Sequence, residues 1–225
     1  MFLGTKTVIF DAFGTLFDVH SPARELAPQL GENFEAFSAL WRQKQLEYSW
    51  LRSLMRRHAD FAQVTEEALD YALAAFGHAK NERVRSELLS LYQRLKAYPD
   101  AVLMLDSLSR KNMRTGILSN GSPQMLHAAV VSAGLESLLD EVLSVEEVQV
   151  FKPDPRVYAL ALDRFGIRDP AEVVFVTANP WDAHGAASFG FQVIRVNRNG
   201  LADENLPGKV SAHVKSLSEI PALLS

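Results

Sequence analysis

Residues 7–17 read Thr-Val-Ile-Phe-Asp-Ala-Phe-Gly-Thr-Leu-Phe. The first four residues form a nearly continuous apolar run, which is typical of a short strand that is buried on both faces. Asp11 ends this run and Gly14 follows closely, so the carboxylate stands where a buried strand gives way to a glycine turn. A carboxylate in that position is a candidate nucleophile.

The chain that follows this stretch is predicted to be helical up to about residue 97. Three segments, 32–59, 65–77 and 81–97, have apolar residues about 3.6 positions apart and few β-branched residues. Thr65 is followed by two glutamates and predicts the start of the second helix, and Gly77 predicts its end.

From residue 98 onward, predicted helices alternate with predicted strands. The helices cover about 100–111, 122–133, 155–166 and 181–189, and the strands cover 115–119, 141–144, 173–177 and 192–196. This alternation predicts a parallel sheet with helices on both faces, to which the first strand also belongs. We therefore predict an α/β fold, in which a Rossmann-like parallel-sheet core of residues 1–16 and 98–225 carries an inserted helical cap domain of residues 17–97.

The composition is that of an ordinary globular protein and argues against several functional classes. The net charge of -4 over 225 residues argues weakly against nucleic acid or an anionic membrane as partner. The chain has no cysteine, which excludes disulfides, thiol nucleophiles and cysteine-bound zinc. Its first residues lack the features of a signal peptide, and no apolar stretch has the length of a membrane span. We expect no nucleic-acid partner, no membrane partner, and the cytoplasm as the default location.

Polar side chains gather at the ends of four of the predicted strands. Open parallel sheets bind their ligands beyond the carboxyl ends of the strands, so these side chains are expected to lie together. Each residue alone is more simply explained as a turn or capping residue, and only their joint placement favours a site. The residues are Asp11, Thr15, Ser119, Asn120, Lys152, Thr177, Asn179 and Asp182.

Four short motifs in this set resemble those of the haloacid dehalogenase (HAD) superfamily. They are Asp11-x-x-Gly14-Thr15, Ser119-Asn120-Gly121, Lys152-Pro153 and Asn179-x-x-Asp182, in the order and spacing of that superfamily. Within it, the chain is most similar to the L-2-haloacid dehalogenases. The marks of that subgroup are Phe13, residues 41–50, Lys152-Pro153-x-x-x-Val157-Tyr158 and Asn179-Pro180-Trp181-Asp182. The resemblance runs from residue 7 to about residue 200 and implies a HAD-like core.

The resemblance implies a two-step hydrolysis of short (S)-2-haloacids. Asp11 attacks C2, displaces halide with inversion and forms an ester, which water hydrolyses to release an (R)-2-hydroxyacid. The implied catalytic residues are Asp11, Thr15, Lys152, Tyr158, Thr177, Asn179 and Asp182. The implied substrate-binding residues are Phe13, Arg42, Gln43, Leu46, Phe61, Ser119, Asn120 and Trp181, with Arg42 and Asn120 holding the halide.

The resemblance also implies which ligands and partners to expect. A small 2-halocarboxylate and a halide ion are the expected ligands, with no metal and no cofactor. Members of the family are commonly homodimers, so a homodimer is expected here. Phe13 stands where a phosphatase of the superfamily needs a second carboxylate, and Asn179 stands where such enzymes usually carry a metal-binding Asp.

Three alternatives to this interpretation are a superfamily phosphatase, a binding protein that has kept the fold, and a metal-free hydrolase that acts on a non-halogenated or ring-strained carboxylic acid. A further alternative concerns the group that activates water. His184 competes with Asp182 for that role, because an imidazole is the better base near neutral pH. On a helix that begins near residue 181 the two side chains point about 200° apart, so we expect only one of them, Asp182, to face the ester.

Overall fold

The computed structural model describes Phe2 and residues 4–224 and has a six-stranded parallel sheet at its centre. The strands are β1 (Thr7–Phe10), β2 (Arg114–Ser119), β3 (Glu141–Ser144), β4 (Val173–Thr177), β5 (Gln192–Val196) and β6 (Ala212–Val214). They follow the order β3-β2-β1-β4-β5-β6. The predicted α/β class and parallel sheet are confirmed.

Strand β1 lies in the middle of this sheet and all four of its residues are buried. Phe10, its last residue, lies opposite Ile117 of β2 and Val176 of β4. The carboxyl ends of these three strands therefore lie within two residues of one another. Whatever follows them in the sequence is brought to one edge of the sheet.

Ten helices flank or follow the strands in the part of the chain that the structure describes. The helices between β1 and β2 are α1 (Ser21–Glu25), α2 (Ala27–Leu30), α3 (Phe34–Met55), α4 (Phe61–Ala75) and α5 (Glu82–Tyr92). The remaining helices are α6 (Ala101–Arg110), α7 (Pro123–Ser132), α8 (Pro155–Phe165), α9 (Pro180–Phe189) and α10 (Ile220–Leu223). We call residues 17–97, which contain α1 to α5, the helical insertion.

The two ends of the helical insertion run side by side. Phe17 and Ala97 form an antiparallel bridge. The Asp18 backbone N–H donates to the Lys96 carbonyl at 2.9 Å, and the Tyr98 N–H donates to the carbonyl of residue 16 at 2.8 Å. These hydrogen bonds tie the point where the chain leaves the sheet region to the point where it returns.

Several boundaries within the helical insertion differ from the sequence prediction. The start of α4 at Thr65 is wrong, because Asp60 caps this helix through a bond from the Gln63 N–H and Thr65 lies one turn inside it. The helices predicted over 32–59 and 81–97 are both shorter, since the last turns predicted for each are loop. Strand β6 was not predicted, because three residues at the edge of a sheet carry too little periodic pattern to detect. None of the helices within the described ranges is long and apolar enough to cross a membrane.

Candidate active site

Asp11 lies directly after β1, and its carboxylate is surrounded by donors from three strand ends. Its Oδ2 accepts hydrogen bonds from Thr15 Oγ1 at 2.9 Å, Thr177 Oγ1 at 3.3 Å and Asn179 Nδ2 at 2.7 Å. Its Oδ1 accepts one bond, from Lys152 Nζ at 3.1 Å. The carboxylate is buried, and four side-chain donors surround it.

Lys152 connects Asp11 to a second carboxylate. Its Nζ also donates to Asp182 Oδ2 at 2.9 Å, and the Tyr158 hydroxyl donates to Asp182 Oδ1 at 2.7 Å. Lys152 and Asp182 are fully buried, and the ammonium lies 4.8 Å from the centre of the Phe175 ring. An isolated charge in such a place would be very costly, so these groups depend on one another for their ionised states.

The pKa values in this network follow from burial and from the neighbouring charges. Burial lowers the pKa of Lys152, but the negative charges of Asp11 and Asp182 outweigh this and raise it above its usual range. Burial raises the pKa of Asp182 to about 6, although Lys152 opposes the shift. Burial also raises the pKa of Tyr158 well above its usual value, and Asp182 adds to this. At neutral pH, Lys152 is therefore an ammonium, Asp182 a carboxylate and Tyr158 a neutral donor.

Helix α9 approaches Tyr158 closely because residue 185 is glycine. A Cβ atom at Gly185 would lie 2.5 Å from the Tyr158 hydroxyl oxygen and 2.6 Å from the Pro153 side chain. The hydroxyl could then not keep its bond to Asp182. Gly185 thus allows the helix that carries Asp182 to pack against the tyrosine that orients it.

Lys152 supplies the positive charge next to both carboxylates of the site. In the part of the chain that the structure describes, no group of three or more His, Cys, Asp or Glu side chains could hold a metal ion. Position 13 carries a phenyl ring instead of a carboxylate, so it adds no ligand oxygen beside Asp11.

Phe13 is part of an aromatic wall that includes residues of the helical insertion. Its ring stacks on Phe61 with centroids 5.7 Å apart and lies 5.8 Å from the ring of Tyr92. Residue 121 must be glycine here, since a Cβ atom would lie 2.5 Å from the Phe13 ring. All of these aromatic rings are buried, so this side of Asp11 is shielded from water.

Arg42 extends from α3 toward the loop that follows Asp11. Its Nη2 lies 3.4 Å from the Phe13 carbonyl oxygen and 3.4 Å from Asn179 Oδ1, and its Nη1 lies 3.5 Å from Gln45 Oε1. These are long hydrogen bonds to neutral acceptors. The guanidinium is therefore near Asp11 with its charge not neutralised by any of these three partners.

Gln45 attaches α3 to the neighbouring helices, whereas Gln43 points away from them. The Gln45 side chain is buried, donates to Thr65 Oγ1 at 2.9 Å and accepts from the Tyr92 hydroxyl at 3.3 Å. Arg42 and Gln45 are three residues apart and share a helix face, whereas Gln43 points about 100° away from Arg42. Gln43, expected to bind the substrate, has an exposed side chain, and the structure does not bring it to this set.

Ser119 and Asn120 end β2 and shape the next loop. Ser119 Oγ accepts from the Gly121 N–H at 3.1 Å, and Asn120 Oδ1 accepts from the Lys152 backbone N–H at 3.0 Å. Ser144 Oγ donates to the Gly121 carbonyl at 2.6 Å. These bonds fasten the β2 loop to the loop that carries Lys152, so that both belong to the same edge of the sheet.

Trp181 and Leu46 complete the set of expected substrate contacts. Trp181, at the start of α9, lies edge to face with Trp50 of α3 at a centroid distance of 5.4 Å. Leu46 lines a cleft of about 190 Å³ together with Arg42 and Asn179. Both residues thus lie where the helical insertion meets the sheet edge.

His184 lies away from the carboxylates. Its Nδ1 is 3.1 Å from the Pro207 carbonyl oxygen and 3.0 Å from that of Gly208. Asp182 is two positions earlier on the same helix and bonds to Lys152 instead. The geometry favours Asp182 over His184 as the group that acts near Asp11.

Three residues near the site were not singled out from the sequence: Gln45, Tyr92 and Arg198. Gln45 could have been found, because it lies one helical turn after Arg42. Tyr92 is far from the motifs in the sequence and reaches Phe13 only through the packing of α5. Arg198 follows β5 and donates to the carbonyl oxygens of Gly14 and Thr15 at 3.2 and 2.8 Å, for which no sequence signal exists.

The fold and the charged residues at the sheet edge indicate a hydrolase with a parallel-sheet core, and known proteins of similar sequence belong to that class. The family of haloacid dehalogenase-like hydrolases matches residues 5–190. (S)-2-haloacid dehalogenase 1 of Pseudomonas sp. strain CBS-3 is 46% identical over 219 residues, which cover 97% of this chain and 96% of that protein.

Two solved structures show the same similarity in three dimensions. A crystal structure of a dehalogenase with an intermediate complex aligns with a TM-score of 0.96 at 44% identity, covering 98% of this chain and 97% of that one. The L-2-haloacid dehalogenase from Xanthobacter autotrophicus with covalently bound chloropropionic acid aligns with a TM-score of 0.89 at 40% identity, covering 98% of each chain. The chain belongs to the haloacid dehalogenase superfamily and, within it, to the L-2-haloacid dehalogenase family, as the sequence motifs indicated.

Proposed function

We propose that the protein hydrolyses short (S)-2-haloacids to (R)-2-hydroxyacids and halide through an ester of Asp11. The observation that carries this proposal is the set of four donors on a buried Asp11 carboxylate, next to position 13, which carries the phenyl ring of Phe13 and no carboxylate. The covalent chloropropionic acid of the Xanthobacter autotrophicus enzyme supports an ester intermediate in this family. In our proposal residues 17–97 act as a cap domain, and residues 1–16 and 98–225 form the core that carries the nucleophile.

In the first step, Asp11 Oδ1 attacks C2 of the substrate. Oδ1 accepts one hydrogen bond whereas Oδ2 accepts three, so Oδ1 is the oxygen with the more available lone pair. The new C2–O bond forms as the carbon–halogen bond breaks, and the halide leaves with the electron pair. Phe13, Phe61 and Tyr92 exclude water from this side of the carboxylate, which strengthens the nucleophile and protects the reacting carbon.

The leaving halide and the substrate carboxylate are held by separate donors. Arg42 carries a permanent charge, and its long bonds to neutral acceptors leave it able to turn toward a halide. Asn120 Oδ1 accepts from the Lys152 backbone, which directs Nδ2 of the same amide as a second donor. Ser119 and the backbone amides near Phe13 and Asn120 bind the substrate carboxylate, with Leu46 and Trp181 against its alkyl part.

In the second step, water attacks the ester carbonyl carbon of Asp11. Asp182 accepts a proton from this water while Tyr158 and Lys152 hold its carboxylate in place. Thr15, Thr177 and Asn179 stabilise the negative charge that develops on Oδ2. The bond between the carbonyl carbon and Oδ1 then breaks, and the departing alkoxide takes the proton from Asp182. The hydroxyacid leaves with the former Oδ1, and Asp11 keeps the oxygen of the water. The second proton of that water is released to solvent, which restores the Asp11 carboxylate.

The test is halide release from (S)- and (R)-2-chloropropionate without added metal. We expect release from the (S) acid alone. In a single turnover in water enriched with heavy oxygen, we expect the label in Asp11 and not in the product. Asp11→Asn should abolish release, whereas the control Asp163→Asn, which changes an exposed aspartate on α8, should preserve it.

Three outcomes would contradict the proposal. The first is the absence of halide release from the (S) acid. The second is magnesium-stimulated hydrolysis of an aryl phosphate, which would indicate a phosphatase. The third is label that appears directly in the hydroxyacid, which would indicate direct attack by water on C2 and no ester.

The assembly and location of the enzyme belong to the same proposal. We propose a cytoplasmic homodimer, and the end of α3 offers an apolar face for it. Leu51, Leu54 and Met55 are 44%, 80% and 60% exposed there. Light scattering on the purified protein measures its mass in solution, and Leu54→Glu should shift a dimer toward the monomer. Fractionation of the source cells tests the location.

A further inference from the structure

The cleft that Leu46 lines opens between the helical insertion and the sheet edge, and its polar lining consists mainly of arginine and asparagine side chains. We call it the anion cleft. Its volume is about 190 Å³. The residues that matter here are His20, Arg42, Tyr98, Asn179, Arg198 and Asn199. Among the described residues that line it, none is Asp or Glu.

The anion cleft reaches the groups that touch the nucleophile. Asn179 lines the cleft, and its Nδ2 lies 2.7 Å from Asp11 Oδ2. Arg42 lines it as well and contacts the Phe13 carbonyl. Asp11 is itself buried, so an ion in this cleft stands one side chain away from the reacting carboxylate.

Arg198 places a positive charge in the wall of the anion cleft. Its guanidinium donates to the carbonyl oxygens of Gly14 and Thr15 and stacks on the Tyr98 ring at 3.8 Å. Both acceptors are neutral, so neither removes its charge. A guanidinium has five N–H donors, and these two bonds leave others to face the cleft.

The carboxylates on neighbouring segments have polar partners of their own. Asp18 forms an ion pair with Arg24 at 2.9 Å, Asp203 forms one with Arg195, which also lines the cleft, and Asp100 accepts from the Ser216 hydroxyl at 2.7 Å. Among the described residues that line the cleft, Arg42 and Arg198 are the arginines that form no ion pair with a carboxylate. A passage lined by one sign of charge concentrates ions of the opposite sign, even in a protein whose net charge is -4.

A second cleft borders the site but has a different chemistry. We call it the apolar cleft, and it is lined by Pro153, Trp181, His184, Phe189, Leu206 and Pro207. Its volume of about 380 Å³ is larger. A carboxylate or halide that loses its hydration along such a wall gains no compensating partner, so the cleft that suits an anion is the smaller one.

We propose that the anion cleft is the passage through which small monovalent anions reach and leave Asp11, and that Arg198 attracts them. The anions are the carboxylate of the incoming 2-haloacid and the halide product. This inference rests on the proposed function, because it takes its two anions from that reaction. It adds a role for a residue, Arg198, that the reaction steps do not use.

The test measures association without turnover. In an Asp11→Asn background, stopped-flow tryptophan fluorescence gives the association rate of (S)-2-chloropropionate, and titration with bromide gives the affinity for halide. We compare Arg198→Met with Arg198→Lys. Both variants lose the guanidinium that stacks on Tyr98, and only Arg198→Met loses the positive charge. We expect Arg198→Met to slow association and weaken bromide binding by about tenfold at low salt, and Arg198→Lys to recover most of both.

Charge changes at the two rims identify the passage. Asn199→Glu adds a negative charge at the exposed rim of the anion cleft, and Leu206→Glu adds the same charge at the rim of the apolar cleft. We expect Asn199→Glu to slow association about threefold at low salt, an effect that high salt removes, and Leu206→Glu to change little. A slower association rate of the substrate assigns the cleft to entry, and weaker bromide binding shows that halide occupies the cleft.

Two results would overturn the inference. Equal behaviour of Arg198→Lys and Arg198→Met would mean that Arg198 only holds the Gly14 turn. A larger effect of Leu206→Glu than of Asn199→Glu would place the passage in the apolar cleft. Absence of halide release by the unmodified enzyme would instead defeat the proposed function, and the association rates would still decide whether this cleft admits anions.

Discussion

The sheet edge and the helical insertion contribute to the site through contacts of different strength. At the sheet edge, Lys152, Asp182 and Tyr158 are buried and joined to one another by hydrogen bonds of 2.7 to 2.9 Å. From the helical insertion, Arg42 is half-buried, and its bonds are 3.4 to 3.5 Å long. The sheet edge thus offers a fixed arrangement of charges, whereas the insertion offers a charge that can adjust to its ligand.

This difference follows from how each part is built. Parallel strands in register bring residues after β1, β2 and β4 to one edge without help from side chains. Arg42 instead depends on the position of α3, which Gln45 fastens to Thr65 and Tyr92. Changes at the sheet edge should therefore stop the reaction, and changes in the helical insertion should weaken it.

The largest effect after removal of the nucleophile is expected at Asp182. Asp182→Asn keeps the shape of the side chain but cannot take a proton from water, so turnover should fall by about 10²–10⁴-fold. The ester should still form, because Lys152 and the donors on Oδ2 remain. Mass spectrometry of the protein after mixing with (S)-2-chloropropionate should show an adduct on Asp11.

The control for this prediction is the neighbouring histidine. His184→Ala removes a side chain that contacts carbonyls of residues 207 and 208, so turnover should stay within about twofold. If His184→Ala trapped the adduct and Asp182→Asn did not, the assignment of the base would be reversed.

A smaller loss is expected at Arg42, the contribution of the helical insertion. Arg42→Lys keeps the charge but loses the fork of donors, and we expect turnover to fall by about 10²-fold. Formation of the ester should become the slow step, so no adduct should accumulate in the mass spectrum. Arg52→Lys on the same helix, which alters an ion pair with Glu67, serves as the control and should change turnover little. An adduct that accumulates in Arg42→Lys would contradict a role in halide departure.

The pH dependence should separate the two steps. The pKa of Asp182 is raised by burial to about 6, so this group is protonated in mild acid and cannot accept a proton from water. Below about pH 6, ester hydrolysis should slow about tenfold per pH unit, while halide release in the first turnover, which uses the permanently charged Arg42, should not. Rapid-quench measurements at pH 5 and pH 7.5 should therefore show more adduct at pH 5.

The same shift affects stability with a defined sign. The folded pKa of Asp182 lies above its ordinary value of 3.8, so folding favours the protonated group. This contribution is fully present below the unfolded pKa and is lost as the pH rises through about 6. Urea unfolding of Asp182→Asn should lack this component between pH 4 and 7. A pH profile that is identical in the variant and the unmodified protein would count against a buried, titrating Asp182.

The sheet edge could be predicted from the sequence more fully than the helical insertion. The strands at 141–144, 173–177 and 192–196 were predicted to the residue, because buried parallel strands read as short apolar runs bounded by turns. The sequence places Asp11, Lys152 and Asp182 after predicted parallel strands, and the carboxyl ends of such strands lie at one edge of the sheet. This half of the site is therefore predictable without knowledge of side-chain packing.

The helical insertion was less predictable because side chains from different helices decide its contacts. Thr65 looks like a helix cap in the sequence, but it lies within α4. Its hydroxyl donates to the Phe61 carbonyl and accepts a hydrogen bond from the Gln45 side chain. Gln43 lies within a helix that the apolar spacing predicts. The rotation of that helix about its axis, which the spacing alone does not fix, turns Gln43 away from the face that carries Arg42 and Gln45. Tyr92 meets Phe13 through packing of α5, for which no local pattern exists.

The smallest expected effect on activity is that of Asp60→Ala, which tests whether the helical insertion shapes the substrate pocket through a residue that takes no part in the reaction. Asp60 caps α4 through the Gln63 N–H, and Phe61 at the start of that helix stacks on Phe13. Asp60→Ala should lower the free energy of unfolding by about 1 kcal/mol and raise KM a few fold, with kcat nearly unchanged. Asn81→Ala removes the equivalent cap of α5, through the Val84 N–H, at the opposite end of that helix from Tyr92. It should cost about the same in urea unfolding and leave KM unchanged, because only the frayed turn that carries Phe61 loosens the wall around the substrate. Equal KM values in the two variants would mean that the first turn of α4 does not position that wall.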